Sequence, residues 1–508
     1  VDPAAIVDLL KVITYSAYEC TLLRVQLGRS DSMPDHDKHV PQGRLRRTMP
    51  LAGFTARAAG GRLVAELQQR AGDDGAVQRF HERTAERYVE ILGHSKGALM
   101  KVGQLMSLID PSDVGTGGFG PYQHALARLQ ADAPPMAAAL VHDVLNDELE
   151  DGVRTFAEFS DEPIASASIG QVHRAILPDG RDVAVKVQYP GVAQAIREDL
   201  ANTELIATFL RFATSASGIV FDPRELAREY TARIAEEVDY RREAKMIAAF
   251  HRLYVDHPFF RLPDIVGHAC TDRVLTMSYM EGIGWGAAQQ ADQDLKNRWA
   301  EVVTRFSYSN LRHSNLLHAD PHPGNYRFGN DGSVGFVDFG CIKVLTEQKR
   351  RLWISVVRNT IDKRLDNLRA DVIEAGFIND DSPMSGAELC DFWTQVFYDV
   401  IAAPQPVTYT VKSTARTTRW MFSPDSANPL SRMYVPDAYA FAPRVNQALT
   451  NICAKLSATL PARSIVDDMD GVAEPTTELG KLHHAWVRER GLPGAFDDHT
   501  VARGSARC

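Results

Sequence analysis

The sequence predicts an α+β fold that is mostly helical. Two observations carry this: strand patterns cluster between residues 160 and 280, and helical patterns run on both sides of them. Beyond residue 282 only the segment 318–343 interrupts the helical pattern. At 508 residues the chain has room for two or three domains, or for one two-lobed enzyme with extensions. Hydrophobic residues make up 44% and charged residues 24%, which excludes a disordered chain, a collagen-like repeat and a disulfide-stapled miniprotein. The net charge of −9 argues against broad nucleic-acid binding.

The first residues give a helical apolar pattern from Ile6 to Ile13, broken by the polar run Arg29–Asp37. Residues 38–65 carry Lys38, Arg44, Arg46, Arg47, Arg57 and Arg62, with no acidic residue and with apolar residues interleaved. Such a segment fits either an anionic membrane surface or a solvated connecting helix. Residues 75–150 read as helices, broken at Gly115–Gly120, which has no strand before it and reads as a loop. Two strands follow, Ser168–Leu177 and Asp182–Tyr189, joined by the turn Pro178-Asp179-Gly180. A long helical stretch comes next; its last helix is expected to start at Asp222-Pro223 and to run to Leu253. Arg273–Met280 is a further strand, and the tail after about residue 485 is expected to be loose.

Six cysteines, Cys20, Cys270, Cys341, Cys390, Cys453 and Cys508, form no CxxC pair, so neither a zinc site nor a disulfide framework is expected. No run of 18 apolar residues occurs, and Val1-Asp2-Pro3 lacks the layout of a signal peptide. The expectation is a reducing, cytoplasmic setting without a transmembrane span.

Five pieces stand in the order that phosphoryl transfer from ATP requires. In Val183-Ala184-Val185-Lys186, strand alternation sends the valines at 183, 185 and 187 to one face and Lys186 to the other. A lysine there can reach nucleotide phosphates, although a strand lysine is more often just solvated. The acidic run Glu236–Glu243 can supply a glutamate to hold that lysine, or can be an exposed, salt-bridged helix. On an ideal helix Asp239 and Glu243 share a face, whereas Glu237 and Asp239 lie about 200° apart. In His318-Ala-Asp320-Pro-His-Pro-Gly-Asn325, Asp320 suits the accepting group and Asn325 a metal ion. Asp338-Phe339-Gly340 follows the apolar strand Val334–Val337, and Asp338 suits Mg²⁺. Where a glycine-rich loop would cover the phosphates, the chain has Ala165-Ser166-Ala167-Ser168-Ile169-Gly170-Gln171-Val172-His173, a stiffer loop. His322 fits either a phosphate contact or turn packing, and Cys341 is expected to be a buried thiol rather than a reactive one. Backbone groups at Ser278–Met280 are expected to meet the adenine, because that strand leads from one lobe to the other.

These pieces resemble the UbiB family of atypical, protein-kinase-like proteins, also called aarF-domain kinases, over roughly residues 80–460. The most diagnostic is Lys101-Val102-Gly103-Gln104, similar to the family's KxGQ motif; Ala165–His173 is similar to its alanine-rich loop and Glu237-Val238-Asp239 to its ExD motif. The resemblance implies a bilobal protein-kinase-like fold with an N-terminal helical KxGQ extension. Its expected parts are an arm at 1–74, the extension at 75–150, an N-lobe at 151–282, a helical C-lobe at 283–480 and a loose tail at 481–508. It implies ATP or ADP with Mg²⁺ as cofactors, and either ATP hydrolysis or phosphoryl transfer supporting prenylquinone or lipid metabolism at a membrane. Implied partners are the nucleotide, peripheral membrane lipid and prenylquinone-pathway enzymes.

By the same resemblance, Asp320, Lys186 and Glu243 are catalytic, with Glu243 the partner of Lys186. Asn325 and Asp338 hold the metal. Ala165, Ser166, Ala167, Ser168, Ile169, Gly170, Val172, Met277, Ser278, Tyr279 and Met280 line the nucleotide with Lys186. Lys101, Gln104, Glu237 and Asp239 gate the peptide groove. Ser166 departs from an all-alanine loop. Two other readings stay open: a small-molecule phosphotransferase of the aminoglycoside or choline kinase type, and a nucleotide-gated scaffold or lipid-binding pseudokinase.

Overall fold

A computed structural model describes residues 75–93, 136–194 apart from Ser168, 196, 238–410 and 432–499, with scattered positions between 61 and 73. The basic segment around 38–57, the glycine cluster 115–120, Lys101, Gln104, Glu237 and Ser168 lie outside them.

The first sheet is built on the turn anticipated at Pro178-Asp179-Gly180. Gly180 takes φ +86°, a conformation that favours glycine, and its amide donates to the Leu177 carbonyl at 2.9 Å. This turn fixes the register of β2 (Gly170–Ile176) against β3 (Asp182–Gln188), from Gly170↔Gln188 to Ile176↔Asp182. β5 (Val274–Ser278) pairs antiparallel with β3, placing Leu275 opposite Lys186. An outer strand, β1 (Glu158–Ala167), completes the order β1-β2-β3-β5. The sequence pattern missed most of β1 because Pro163 interrupts its alternation. The register shifts on both sides of Pro163, which an edge strand tolerates.

Each face of this sheet is covered. Val183, Val185 and Val187 are buried on one face, where helix α2 (Ala138–Glu148) packs Val141, Val144 and Leu145. Gln171 shares that face, being opposite Val187, and its Oε1 accepts from the Met136 amide at 2.8 Å. The described part of the helical extension, α1 (Ala76–Gly93) and α2, therefore includes a helix on the sheet face away from Lys186. Helix α3 (Tyr240–Leu253) lies on the Lys186 side and buries Tyr240, Glu243, Ala244, Ile247 and Phe250, a helical stripe.

The continuous helix expected from Asp222 to Leu253 is corrected at its C-terminal part: α3 begins at Tyr240. Asp239 is its N-cap, with non-helical φ −101° and ψ 89°, and its side chain accepts from the Arg242 amide at 2.9 Å. The ideal-helix separation of Glu237 and Asp239 therefore does not apply.

The second half is organised around α4 (Gln293–His313), whose sides are mostly buried. Two small sheets pack against it: β6 (Leu316–His318) with β9 (Ile342–Val344), and β4 (Phe260–Arg261) with β8 (Val334–Phe336) and β7 (Tyr326–Phe328). Helices α5 (Glu347–Ile361), α6 (Leu365–Glu374), α7 (Gly386–Phe397), α8 (Ala442–Lys455), α9 (Ala462–Met469) and α10 (Glu478–Arg490) complete it. Ion pairs between buried groups, Arg305 with Asp468 and Arg312 with Asp470, fasten α4 to α9 and the residue that follows it.

The loose tail expected from residue 481 is also corrected for its described part. α10 continues to Arg490, ended by Gly491 at φ +59°, and the buried Arg350 guanidinium donates to the Ala495 and Asp497 carbonyls. The glycine- and aspartate-rich composition reflects a helix cap and an anchored turn. Among the described residues no helix is long and apolar enough to cross a membrane.

Candidate active site

β3 carries Lys186 into the space between the sheet and α3. Its Nζ lies 3.0 Å from both Oε1 and Oε2 of Glu243 and 3.7 Å from Oδ2 of Asp338. The Tyr240 ring centroid lies 5.0 Å from the same Nζ. Burial opposes the ammonium charge, but the Glu243 and Asp338 carboxylates outweigh it and hold Lys186 well above the ordinary lysine range. Lys186 is thus a fixed cation.

The two loops that carry Asp320 and Asp338 are brought side by side by the small sheets. β6 pairs with β9 (His318↔Ile342), and the Ala319 amide donates to the Cys341 carbonyl at 2.9 Å. The β7–β8 hairpin links Asn325 to Asp338: the Val337 amide donates to the Asn325 carbonyl at 3.0 Å. His318 Nε2 lies 2.7 Å from the Asp338 carbonyl oxygen. Burial pulls His318 below the usual histidine range, so the ring is neutral and Nε2–H donates. Asp338 Oδ1 accepts from the Gly340 amide at 3.0 Å. Phe339 turns away from the cleft, its ring 5.0 Å from Phe250 on α3.

The cleft face of the sheet holds Val172, Ala184, Lys186 and Met277, because cross-strand partners share a face (Val172↔Lys186, Ala184↔Met277). The β1–β2 loop is shaped by Gly170, where an added Cβ would lie 2.2 Å from the Val187 carbonyl oxygen. Ala165 stands opposite Val172, and Ser166 is exposed opposite Gln171. The Ile169 side chain is buried in the hydrophobic core, so only its backbone can face a ligand; its carbonyl accepts from Tyr189 at 2.9 Å. At the strand exit the Ser278 amide donates to Asp264 and the Tyr279 amide to Asp182, so neither points at a cleft ligand. Among the described backbone bonds the Met280 amide has no acceptor.

The donor set fits Mg²⁺. Asp338 and Asn325 offer hard oxygen atoms, and both are partly exposed. Among the described residues no three His, Cys, Asp or Glu side chains converge as a complete metal cage. Mg²⁺ needs none when one or two protein oxygens share it with nucleotide phosphates. In that arrangement Asp338 and Asn325 would hold the ion and Lys186 the phosphates, while Asp320 is half-buried at the mouth of the loop. Of the four residues that the resemblance assigns to gating, Asp239 is exposed and caps α3; Lys101, Gln104 and Glu237 lie outside the described residues.

Sequence reasoning gave no role to Tyr240, His318 or Arg242. The Arg242 guanidinium donates to the Gly340 carbonyl at 3.3 Å and to the Ile342 carbonyl at 3.1 Å. Position offered one signal: Arg242 sits beside Glu243, so it emerges about 100° around the helix from the lysine's partner.

A strand lysine paired with a helix glutamate, beside a loop aspartate and an Asp-Phe-Gly aspartate, defines a protein-kinase-like site. The ABC1 atypical kinase-like domain matches residues 128–371. The mitochondrial atypical kinase COQ8B of Rattus norvegicus is 31% identical over 65% of this chain and 63% of its own length. The mitochondrial atypical kinase COQ8 of Saccharomyces cerevisiae is 28% identical over 61% of each chain. A solved Mycobacterium tuberculosis protein, in complex with erythromycin, is 30% identical with a TM-score of 0.55; the match covers 80% of this chain and 100% of that one. The chain belongs to the UbiB family of atypical kinases, the ABC1/COQ8 type. It spans less than two thirds of the rat and yeast relatives.

Proposed function

We propose that this chain binds a Mg²⁺-nucleotide and hydrolyses ATP or transfers its γ-phosphoryl group, in support of prenylquinone or lipid metabolism at a membrane surface. The observation that carries the reading is the shared position of Lys186, 3.0 Å from Glu243 and 3.7 Å from Asp338. One ammonium linked to both a positioning glutamate and a metal-type aspartate is what phosphate alignment requires. Asp320 would take the acceptor's proton or orient the attacking water. Asp338 and Asn325 would hold the ion, and the Met280 amide would meet the adenine. The ion would supply charge neutralisation of the phosphates. The COQ8 names of the relatives support the quinone part, the basic segment at 38–65 supports the membrane part, and the family motif supports a gating role for Lys101 and Gln104 with Glu237 and Asp239.

The test is Mg²⁺-dependent release of labelled phosphate from ATP, with and without anionic vesicles. Turnover stimulated by vesicles supports the reading. Nucleotide binding with no turnover under any condition would favour a nucleotide-gated scaffold, and turnover only with a small hydroxyl or amino acceptor would favour a small-molecule phosphotransferase. Because the mycobacterial relative was solved with erythromycin, a macrolide belongs among those acceptors.

A further inference from the structure

In protein kinases a long segment after the metal aspartate is often phosphorylated, and the new charge pins that segment and the glutamate helix in place. Here residues 339–346 leave no room for such a segment. Ile342–Val344 is already strand β9, paired with β6, and α5 begins at Glu347. Residues 339–345 contain no serine, threonine or tyrosine. Thr346 caps α5, its hydroxyl accepting from the Lys349 amide at 3.3 Å.

Arg242 joins the glutamate helix to residues 339–346 directly. It lies in the first turn of α3, next to Glu243, and its two guanidinium arms reach the carbonyls of Gly340 and Ile342 at 3.3 and 3.1 Å. Gly340 is held from both sides. Its amide donates to Asp338 Oδ1 at 3.0 Å, and its carbonyl is taken by Arg242. The backbone amide of Arg242 is fixed in turn by the Asp239 cap. Consecutive residues of one helix turn therefore grip the strand lysine, through Glu243, and the aspartate segment, through Arg242.

We infer that Arg242 is a positioning residue that keeps α3 and the Asp338 segment assembled as one unit, so that the site needs no phosphorylation to become competent. The inference rests on the Mg²⁺-nucleotide reading above, in which Asp338 holds the ion. A planar guanidinium suits two carbonyls at once, which an ammonium cannot span.

The experiment compares the full chain with Arg242→Ala and Arg242→Lys. Hydrogen exchange over residues 338–344 is followed without ligand, and nucleotide affinity is titrated with and without Mg²⁺. In Arg242→Ala the segment should exchange faster, and the Mg²⁺ concentration for half-maximal nucleotide binding should rise about tenfold or more, the scale of losing charge-assisted bonds. Affinity for nucleotide without metal should stay within about twofold, because Lys186 and Glu243 remain. Arg242→Lys should fall between the two and serves as the readout if the alanine variant fails to fold. Unchanged exchange, or equal weakening with and without Mg²⁺, would overturn the assignment. A wild type with no Mg²⁺-dependent binding would instead overturn the reading beneath it, while the exchange comparison still judges Arg242.

Discussion

Lys186 Nζ is 3.0 Å from both carboxylate oxygens of Glu243 and 3.7 Å from Asp338, so one ammonium is shared by the helix and by the Asp-Phe-Gly segment. The Lys186 and Glu243 side chains are 11% and 2% exposed, which places this pair among buried rather than surface salt bridges. Its arrangement matters more than its net stabilisation, since burying both charges offsets much of their attraction.

Removing one partner is therefore costly. Glu243→Ala should lower stability by about 3–5 kcal/mol, because a buried ammonium is left with Asp338 alone. The double variant Glu243→Ala with Lys186→Met should lose less than the sum of the two single changes. Urea unfolding of the four proteins checks this; strict additivity would mean that the two groups do not interact.

Gly170 should not tolerate a side chain. A Cβ there would meet the Val187 carbonyl oxygen at 2.2 Å and the Val187 carbonyl carbon at 2.9 Å, both backbone atoms that cannot rotate aside. Gly170→Ala should separate β2 from β3 beside the β1–β2 loop, lowering stability by about 1–3 kcal/mol and, on the proposed nucleotide reading, weakening nucleotide binding. Thermal unfolding with and without nucleotide measures both, and an alanine variant equal to wild type would contradict the register described.

Three buried histidines give the protein an acid-sensitive point. The Pro493 carbonyl can only accept, so His313 Nδ1 carries its proton, 2.8 Å away. His313 Nε2 then accepts from His483 Nε2 at 3.1 Å, and His483 Nδ1 accepts from His257 Nε2 at 3.0 Å. His257 Nδ1 accepts from the Phe260 amide at 3.0 Å, so each ring is satisfied only when neutral. Burial and the neighbouring cations pull His257 down to about 2, His313 to about 4, and His483 well below the usual range. Arg305, Arg261, Arg312, His484 and His499 face the cluster with the same sign of effect.

The depressed values favour the neutral rings in the fold, so this stability is present above about pH 6.5 and is lost as the pH falls toward the folded values. The slope should approach 1.4 kcal/mol per pH unit, on the order of magnitude, for each histidine that takes up a proton on unfolding. Urea unfolding at about pH 7.5, 6 and 5 should show the decline, and His483→Phe should flatten it. A stability that is level across that range would contradict the neutral chain.

The parts of the site that depend on strand alternation and short turns were legible in the sequence. Lys186 opposite the valine face, the Gly180 turn and the Asp338-Phe339-Gly340 exit from an apolar strand all follow from local chemistry. The start of α3 was not legible, because Asp222-Pro223 and Asp239 are both good helix caps and spacing does not choose between them. Arg242 was hidden for a related reason: beside Arg241 in an acidic run it reads as a surface charge, and only tertiary packing brings Gly340 and Ile342 to it. Ile169 shows a further limit of the pattern, since a residue inside a turn between two strands can send its side chain into the core.

The central claim is that Asp338 holds the ion that binds the nucleotide to this site, and Asp338→Asn tests it most directly. The substitution removes a charge that faces both the metal position and Lys186, an effect of several kcal/mol by order of magnitude. Titration calorimetry of ATP with the folded variant, at increasing Mg²⁺, should show metal-free binding retained and the Mg²⁺-dependent gain lost. A variant whose Mg²⁺ dependence matches wild type would contradict the account.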